Sequence, residues 1–505
     1  MKKLKTLINK YSIAILISFV AAVIVHLPLF TKNILTADVL LNTGYYSGYS
    51  WEISLGRFWL YIIGLLKGFL VIPQVEIFIS ILLFLGVMII IFELFEIKNK
   101  VIQVLCGILV SVSPILSATF LFHYCSLAYA LAFFSSVLAV YLFIKAKGKM
   151  LKYFVPTFLI SFSLSMYQAY LAIPFTLLLL WWMIQILRKK FTWKEFFYSF
   201  GIVILGAIFY FILMKLSLIV FHVDLSSYRG ASQFGIESIL NIPSRIFDAY
   251  RNFYQFYFTD DIVSNSNLFM QMFYIIMFCL LFFGIVYSLY KNKVSFKYSL
   301  LFMVFFLLIP VFVNISVIIF PNTNMQLLMS GGYLLIFFFI CYFIQDQKLL
   351  IIFTSFIFII LIRGYIIQDS ATYQTLENTY KKTYQIASDI RSQINKMGYK
   401  REIMIAGNLD KNHYYTKKST TEFDRLSRYT YGFVSNYSLF WDEYTNMKNG
   451  WSRFMEYELG VSITFVSSDT YQKILDNKDY QNMKCYPSDD SIQLIDDVVV
   501  VKLAD

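Results

Sequence analysis

The sequence predicts an all-α polytopic membrane protein of about eleven transmembrane helices, ending in a small C-terminal α/β domain outside the bilayer. Three observations predict it. Of the 505 residues 58% are hydrophobic and 15% charged, against roughly 25% charged in a soluble domain. Apolar runs near the length needed to cross a bilayer, about 20 residues, recur through residues 1–367. Lysine-rich and lysine-poor connections alternate between those runs, as they do in a chain threaded back and forth across a membrane.

The first run, Ser12 to Phe30, follows Lys2, Lys3, Lys5 and Lys10. Its flank is like that of a signal peptide, but Val25-His26-Leu27-Pro28 is a poor cleavage site and the run is long, so it reads as a retained helix. Further runs lie near 75–97, 101–117, 125–144, 153–168, 171–187, 199–222, 268–290, 299–320, 326–345 and 349–367. Five connections carry the basic residues: Lys98 and Lys100; Lys145, Lys147, Lys149 and Lys152; Arg188, Lys189, Lys190 and Lys194; Lys291, Lys293 and Lys297; and Lys348. All five fall on the side of the basic N-terminus. The positive-inside rule therefore puts the N-terminus in the cytoplasm, and an odd number of spans puts the C-terminal domain outside.

Two outer loops are long, 31–74 and 223–267. The first contains a short apolar stretch, Phe58 to Ile72, interrupted by Gly64, Lys67 and Gly68, which reads as an interfacial or re-entrant helix. After Arg363 the composition turns polar. Residues 368–505 read as a separate α/β domain, with a helix from Thr372 to Met397 and strands at Glu402–Ala406 and Val461–Val466. A hairpin of Ser491–Ile495 and Val498–Leu503 around Asp496-Asp497 closes it.

The net charge of +12 follows from the basic loops and forms no stripe, which argues against a nucleic-acid partner. The five cysteines, Cys106, Cys125, Cys279, Cys341 and Cys485, have no CxxC spacing and read as small apolar residues. No P-loop, GxGxxG or HExxH motif occurs, so neither a cofactor nor a metal is expected and an ATP-driven pump is poorly supported. A secondary carrier places its charges near midmembrane. Here the ionisable residues outside the basic loops gather toward the outer face, which favours a site at the outer membrane–water boundary.

The first outer loop reads Thr36-Ala37-Asp38-Val39-Leu40-Leu41-Asn42-Thr43-Gly44-Tyr45-Tyr46-Ser47-Gly48-Tyr49, then Ser50-Trp51-Glu52-Ile53-Ser54-Leu55-Gly56-Arg57-Phe58-Trp59. Asp38 is suited to take a proton from an attacking hydroxyl, and Arg57 to hold a lipid phosphate in its planar fork. The plainer readings are a helix N-cap and an interfacial snorkelling arginine. Glu52 is the second candidate acid and Asp260-Asp261 in the other long loop the third, although an adjacent acid pair also suits a solvated loop end. Lys215 and Arg363 sit inside apolar runs, where a charge marks a functional position unless it snorkels; with Arg57 they are the candidates for an anionic phosphate. Arg229, Arg245 and Arg251, with Tyr250, Phe253 and Tyr254, suit either a sugar–lipid contact or a plain interfacial helix. His123 and His222 read as packing residues.

An acid soon after the first helix, followed by Gly56-Arg57-Phe58 leading into an interfacial stretch, resembles the Gtr type II glucosyltransferases, serotype-converting enzymes that modify cell-surface polysaccharide. Ser165-Met166-Tyr167-Gln168-Ala169-Tyr170, in a short outer turn, is similar to the family's Tyr-Gln signature and makes Tyr167 and Gln168 candidate substrate contacts, to which the second long loop adds Arg251. The resemblance implies a GT-C-type bacterial membrane enzyme that moves a hexose, with glucose the expected sugar, from a polyprenyl phosphate such as undecaprenyl phosphate to an envelope glycan. It also implies that Asp38 occupies the place of the first-loop catalytic base. The paired-acid form of that motif is absent, since Ala37 precedes Asp38 and Val39 follows, which weakens the case for a metal. A lipid-linked sugar flippase or a non-catalytic envelope-assembly protein would share the aromatic outer loops without needing one essential carboxylate.

Overall fold

The computed structural model describes residues 2–46, 48–228, 242–259, 268–319, 325–397, 401–409, 412 and 444–504. Among them, eight helices are long and apolar enough to cross a membrane: Thr6–Val25, Pro73–Phe95, Ser126–Lys145, Gln168–Leu187, Trp193–Phe221, Phe269–Lys291, Phe296–Val313 and the first part of Lys348–Met397. A ninth is reached if Lys100–Ser111 and Pro114–Phe120, bent by 42°, count as one span. The bend has a local cause. Pro114 supplies no N–H to the preceding turn, and the Ser113 hydroxyl accepts from the Ile115 N–H, so the chain restarts its helix there. Two further expected runs form helices of only 10–17 residues, Met150–Leu164 and Gly331–Ile344. At about 1.5 Å per residue these fall short of the roughly 30 Å hydrocarbon core. Gly331–Ile344 is enclosed by other helices along nearly its whole length, so protein rather than lipid surrounds it.

The basic connections meet at one end of the bundle. Lys10 pairs with Glu93 at 2.6 Å, Lys100 Nζ donates to the Lys10 carbonyl at 2.8 Å, and Arg188 pairs with Glu96 at 2.9 Å. In the same group the Lys98 N–H donates to Gln345 Oε1 at 2.7 Å. Within the bundle Pro73–Phe95 packs on Ser126–Lys145, Lys2–Val25 on Lys100–Ser111, and Val155–Leu164 on both Ser126–Lys145 and Trp193–Phe221.

The first long loop folds back on itself. Its short helices are Ala37–Leu41, Tyr49–Ser54 and Phe58–Leu66, the last with nine residues and too short to span. The Tyr46 N–H donates to the Phe69 carbonyl at 2.9 Å and the Val71 N–H to that of Gly44 at 3.1 Å. The second long loop joins it where the Ser226 N–H donates to the Ser54 carbonyl at 2.9 Å.

The helix Lys348–Met397 has 50 residues and passes without a break through the expected domain boundary at 367/368. At about 1.5 Å per residue it is more than twice as long as the bilayer core is thick, so its far half belongs to the polar region. There a three-stranded sheet, in the order β1-β3-β2, is built from Ile403–Ala406 (β1), Ile492–Ile495 (β2) and Val498–Lys502 (β3). β1 runs parallel to β3, and β2 pairs antiparallel with it through a tight turn in which Asp496 and Asp497 both take positive φ. Alternation fills both faces. Ile403, Ile405, Val499 and Val501 enter one core, and Met404, Ala406, Val498 and Val500 the other. The expected strand at Val461–Val466 reduces to a single parallel bridge between Ile403 and Phe465, with the Ile403 N–H donating to the Thr464 carbonyl at 2.8 Å and the Val466 N–H to that of Ile403 at 3.1 Å.

The first of those cores also takes in Leu35, Val39 and Leu40, together with Ile386, Ile390, Trp451 and Phe454. The segment that carries Asp38 is thus packed into the C-terminal region.

Candidate active site

Glu52 and Arg57 stand on either side of a tight turn between the helices Tyr49–Ser54 and Phe58–Leu66. Gly56 makes the turn possible. It holds φ +78°, and a Cβ there would lie 2.4 Å from the Tyr210 hydroxyl and 2.8 Å from the Met214 sulfur. The reversal brings Arg57 Nη1 to 3.2 Å from Glu52 Oε2. The glutamate side chain is 4% exposed and the arginine 20%. A carboxylate so deeply buried is stable only because the guanidinium sits beside it.

Gln168 fastens this turn to the bundle. Its Nε2 donates to the Leu55 carbonyl at 2.6 Å and to the Tyr210 hydroxyl at 2.9 Å, while its Oε1 lies 3.5 Å from Arg57 Nε. The Arg57 guanidinium stands over the Tyr167 ring at 5.2 Å, and Tyr167 packs on Tyr129 at 4.6 Å between centroids. The Tyr-Gln pair and the Gly-Arg pair, more than a hundred positions apart in the chain, therefore form one cluster. In it the arginine is offered on one side to carboxylate and amide oxygens and on the other to an aromatic face.

Asp38 lies in the first turn of Ala37–Leu41 and is half-buried. It is not the N-cap. Thr36 holds that position, its hydroxyl accepting from the Val39 N–H at 3.3 Å. Tyr124 lies in the field of both acids. Burial first, and then neighbouring groups that include Glu52 and Asp38, push its phenol well above the usual range. Tyr46 is 3% exposed; burial first, and then the neighbouring Glu52 carboxylate, raise its phenol as well. A second buried ion pair supports this wall. Lys67 Nζ meets Glu76 Oε1 at 2.7 Å and donates to the Tyr124 carbonyl at 3.1 Å, tying the loop to the start of Pro73–Phe95.

Other expected site residues stand apart from the cluster. Lys215 is exposed, with its ammonium 5.0 Å from the Phe211 ring centroid, because Tyr210, Met214 and Ser217 take the inward face of that helix. Arg363 is exposed while Leu361, Gly364 and Tyr365 are buried. Arg251 is exposed and pairs with Asp248 at 3.3 Å within its own helix. Arg245 donates to the Ile318 carbonyl at 3.1 Å, Tyr250 to that of Leu307 at 2.6 Å, and Phe253 stacks on Tyr333, so this helix is anchored to the bundle. Arg229, Asp260 and Asp261 lie outside the described residues. His123 is buried, its Nε2 without a hydrogen-bond partner among the described residues, and His222 closes its helix at φ +53°. Among the described residues no three His, Cys, Asp or Glu side chains converge as metal ligands.

Tyr46, Tyr124 and Tyr210 carried no sequence signal, being three of 38 tyrosines. Glu76 did carry one, as a lone acid opening an apolar run.

Neither a curated protein nor a solved structure matches the chain. A family model does, that of glucosyl transferase GtrII, over residues 27–343. The match spans more than half the chain and takes in Asp38, the Glu52–Arg57 turn and the Tyr167-Gln168 turn that holds it. With its bundle of apolar helices, the chain belongs to the GtrII glucosyltransferase family.

Proposed function

We propose that the chain transfers glucose from a polyprenyl-phosphate donor to a surface polysaccharide or another envelope glycan, on the outer face of a bacterial membrane and with a GT-C-type arrangement of helices. The observation that carries this reading is the buried Glu52–Arg57 pair, at the point where the two long loops and the Tyr167-Gln168 turn converge.

Arg57 is the residue for the donor phosphate. Its fork matches two phosphate oxygens, and its position over Tyr167 keeps the side chain extended. Glu52 orients it. Asp38, on the neighbouring short helix, is the base. In the reaction the acceptor oxygen bonds to the anomeric carbon as the bond from that carbon to the phosphate oxygen breaks. The acceptor proton passes to the Asp38 carboxylate, and the phosphate leaves with the bonding pair as a stable anion whose growing charge the guanidinium balances. Tyr167 and Gln168 act beside the sugar mainly by holding Arg57. Lys215, Arg363 and Arg251 are less suited to the phosphate because their side chains are exposed, whereas Arg57 is packed into this cluster. The region after residue 367 is the outer domain, and its packing on Leu35, Val39 and Leu40 makes it the support for Asp38.

Purified protein in detergent tests the reading. It should transfer glucose from polyprenyl-phosphate glucose to a glycan acceptor and should not use a soluble nucleotide-glucose. The opposite preference would overturn the donor assignment.

A further inference from the structure

The lysine-rich end of the bundle holds a cavity of about 320 Å³ that the transfer reaction does not use. It lies between two connections, one joining Ala172–Leu187 to Trp193–Phe221 and the other joining Leu268–Lys291 to Phe296–Val313. Ile186 and Phe191 form its apolar wall, and Lys189, Lys293, Ser295 and Tyr298 its polar one.

The two lysines occupy equivalent positions. Each ends its helix in the left-handed region, Lys189 at φ +57° and Lys293 at φ +48°. The helix closures match as well: the Lys189 and Lys293 N–H groups donate three residues back to Ile186 and Tyr290, and the next N–H groups donate five back to Gln185 and Leu289. Glycine takes such a position without strain and is the usual residue there. A lysine stands at both places, and both line the same cavity. Residues 188–194 and 291–297 hold seven Lys and Arg and no acid. Two acids at this end are engaged by other cations, Glu96 by Arg188 and Glu195 by Lys152. Ser295 precedes Phe296–Val313 without capping it, which leaves its hydroxyl available to a ligand. Around the cavity Trp193, Tyr290 and Phe296 are exposed, as aromatic residues are at headgroup depth.

We propose that this cavity binds the phosphate headgroup of an anionic phospholipid. Paired ammonium groups and a hydroxyl recognise the phosphate, while Ile186 and Phe191 meet the start of the acyl chains. Basic pockets between spanning helices on the lysine-rich side hold such lipids in this way.

The test uses delipidated full-length protein in neutral detergent, read by thermal unfolding and by native mass spectrometry. Phosphatidylglycerol should raise the unfolding midpoint and remain as a bound adduct, whereas phosphatidylcholine and inorganic phosphate should do neither. Lys189→Gly/Lys293→Gly removes both ammonium groups while relieving both positive-φ positions. It should unfold no earlier than the native protein without lipid, yet bind phosphatidylglycerol at least tenfold more weakly. Lys189→Arg/Lys293→Arg should keep the lipid. Where the glycine variant folds poorly, Lys189→Gln/Lys293→Gln reads the same loss. Full lipid protection in the glycine or glutamine variant overturns the proposal. So does equal protection of the native protein by phosphatidylcholine or by inorganic phosphate.

Discussion

Gly56 and the Tyr210 hydroxyl are in such close contact that a single added methyl carbon would lie 2.4 Å from that oxygen. The contact matters because the same hydroxyl receives Gln168 Nε2, which also holds the Leu55 carbonyl one residue before the glycine. Gly56→Ala therefore does two things. It places a side chain at φ +78°, a strain of about 1–2 kcal/mol, and it pushes Tyr210 out of the Gln168 network. The expected result is a protein that still inserts and folds, unfolds a few degrees earlier, and loses most glucosyl transfer because Arg57 is displaced. Tyr210→Phe added to it should recover part of the stability by removing the clashing oxygen. Native transfer by Gly56→Ala would show that the turn does not position Arg57.

The Glu52–Arg57 pair separates stability from function. Removing one partner of a buried pair leaves the other charge uncompensated and costs about 3–5 kcal/mol, whereas replacing both partners is far milder. Arg57→Ala should thus lower the unfolding temperature and raise the donor KM, and Glu52→Gln/Arg57→Gln should regain stability without regaining donor affinity. Arg57→Lys keeps a charge but not the fork, so its donor KM should lie between native and Arg57→Ala. Lys215→Ala and Arg363→Ala, on exposed faces, should leave the donor KM within about twofold, since a surface charge far from the phosphate contributes little there. A steep rise in donor KM for Lys215→Ala alone would move the phosphate to that helix.

Hydropathy was enough to read a bundle of apolar helices, because it depends only on local composition, but not to count its spans: about eleven were expected, and eight helices, or nine with the bent pair, are long and apolar enough among the described residues. The turn at Gly56-Arg57 and the Tyr167-Gln168 pair were legible as short motifs, but their meeting was not, since it depends on how helices far apart in sequence pack. Side-chain direction was the other loss. Lys215 follows Met214 by one position, which on a helix is a rotation of about 100°, so a small difference in facing decides between an inward and an outward charge. Tyr210, Met214 and Ser217 fix that facing, and it shows in the contacts with Gly56 and Gln168. The short helix of Asp38 was hidden for a similar reason. Its apolar residues Val39 and Leu40 are buried by Trp451 and Phe454, from the far end of the chain.

His123 makes stability depend on pH. It is 5% exposed, its Nε2 has no hydrogen-bond partner among the described residues, and burial lowers its pKa to about 4. An unfolded histidine titrates near 6.5, so between those values the unfolded chain holds the extra proton and the folded one does not. The stability is therefore fully present above about pH 6.5 and is lost as pH falls toward 4. The loss from this one group is about 2 kcal/mol at pH 5. Thermal unfolding at pH 7 and pH 5 measures it. His123→Gln should lose distinctly less stability than the native protein over that interval, and His26, present in both, cancels in the comparison. Parallel losses would mean that His123 is not held neutral.

Asp38 is the residue on which the mechanism turns, and the structure removes the usual objection to testing it. Thr36 already caps the Ala37–Leu41 helix, so Asp38→Asn cannot fail by loss of a cap. It forgoes the favourable charge in the first turn, worth about 0.3–1 kcal/mol. A positioned general base contributes typically about 10²–10⁴ in rate. Asp38→Asn should therefore insert and unfold nearly as the native protein does, keep its donor KM, and lose a factor of that size in kcat. Glu52→Gln should behave differently. Without its carboxylate Arg57 is no longer oriented, so the donor KM should rise while kcat falls less. The two amide variants thus read the two roles on separate axes, measured by initial rates over a range of donor concentrations. If Asp38→Asn transfers glucose at the native rate while Glu52→Gln loses kcat at unchanged donor KM, then the buried glutamate is the base and Arg57 its partner rather than the phosphate's. A rise in donor KM for both variants, with kcat preserved, would instead make both carboxylates supports for the arginine and leave the proton acceptor on another element.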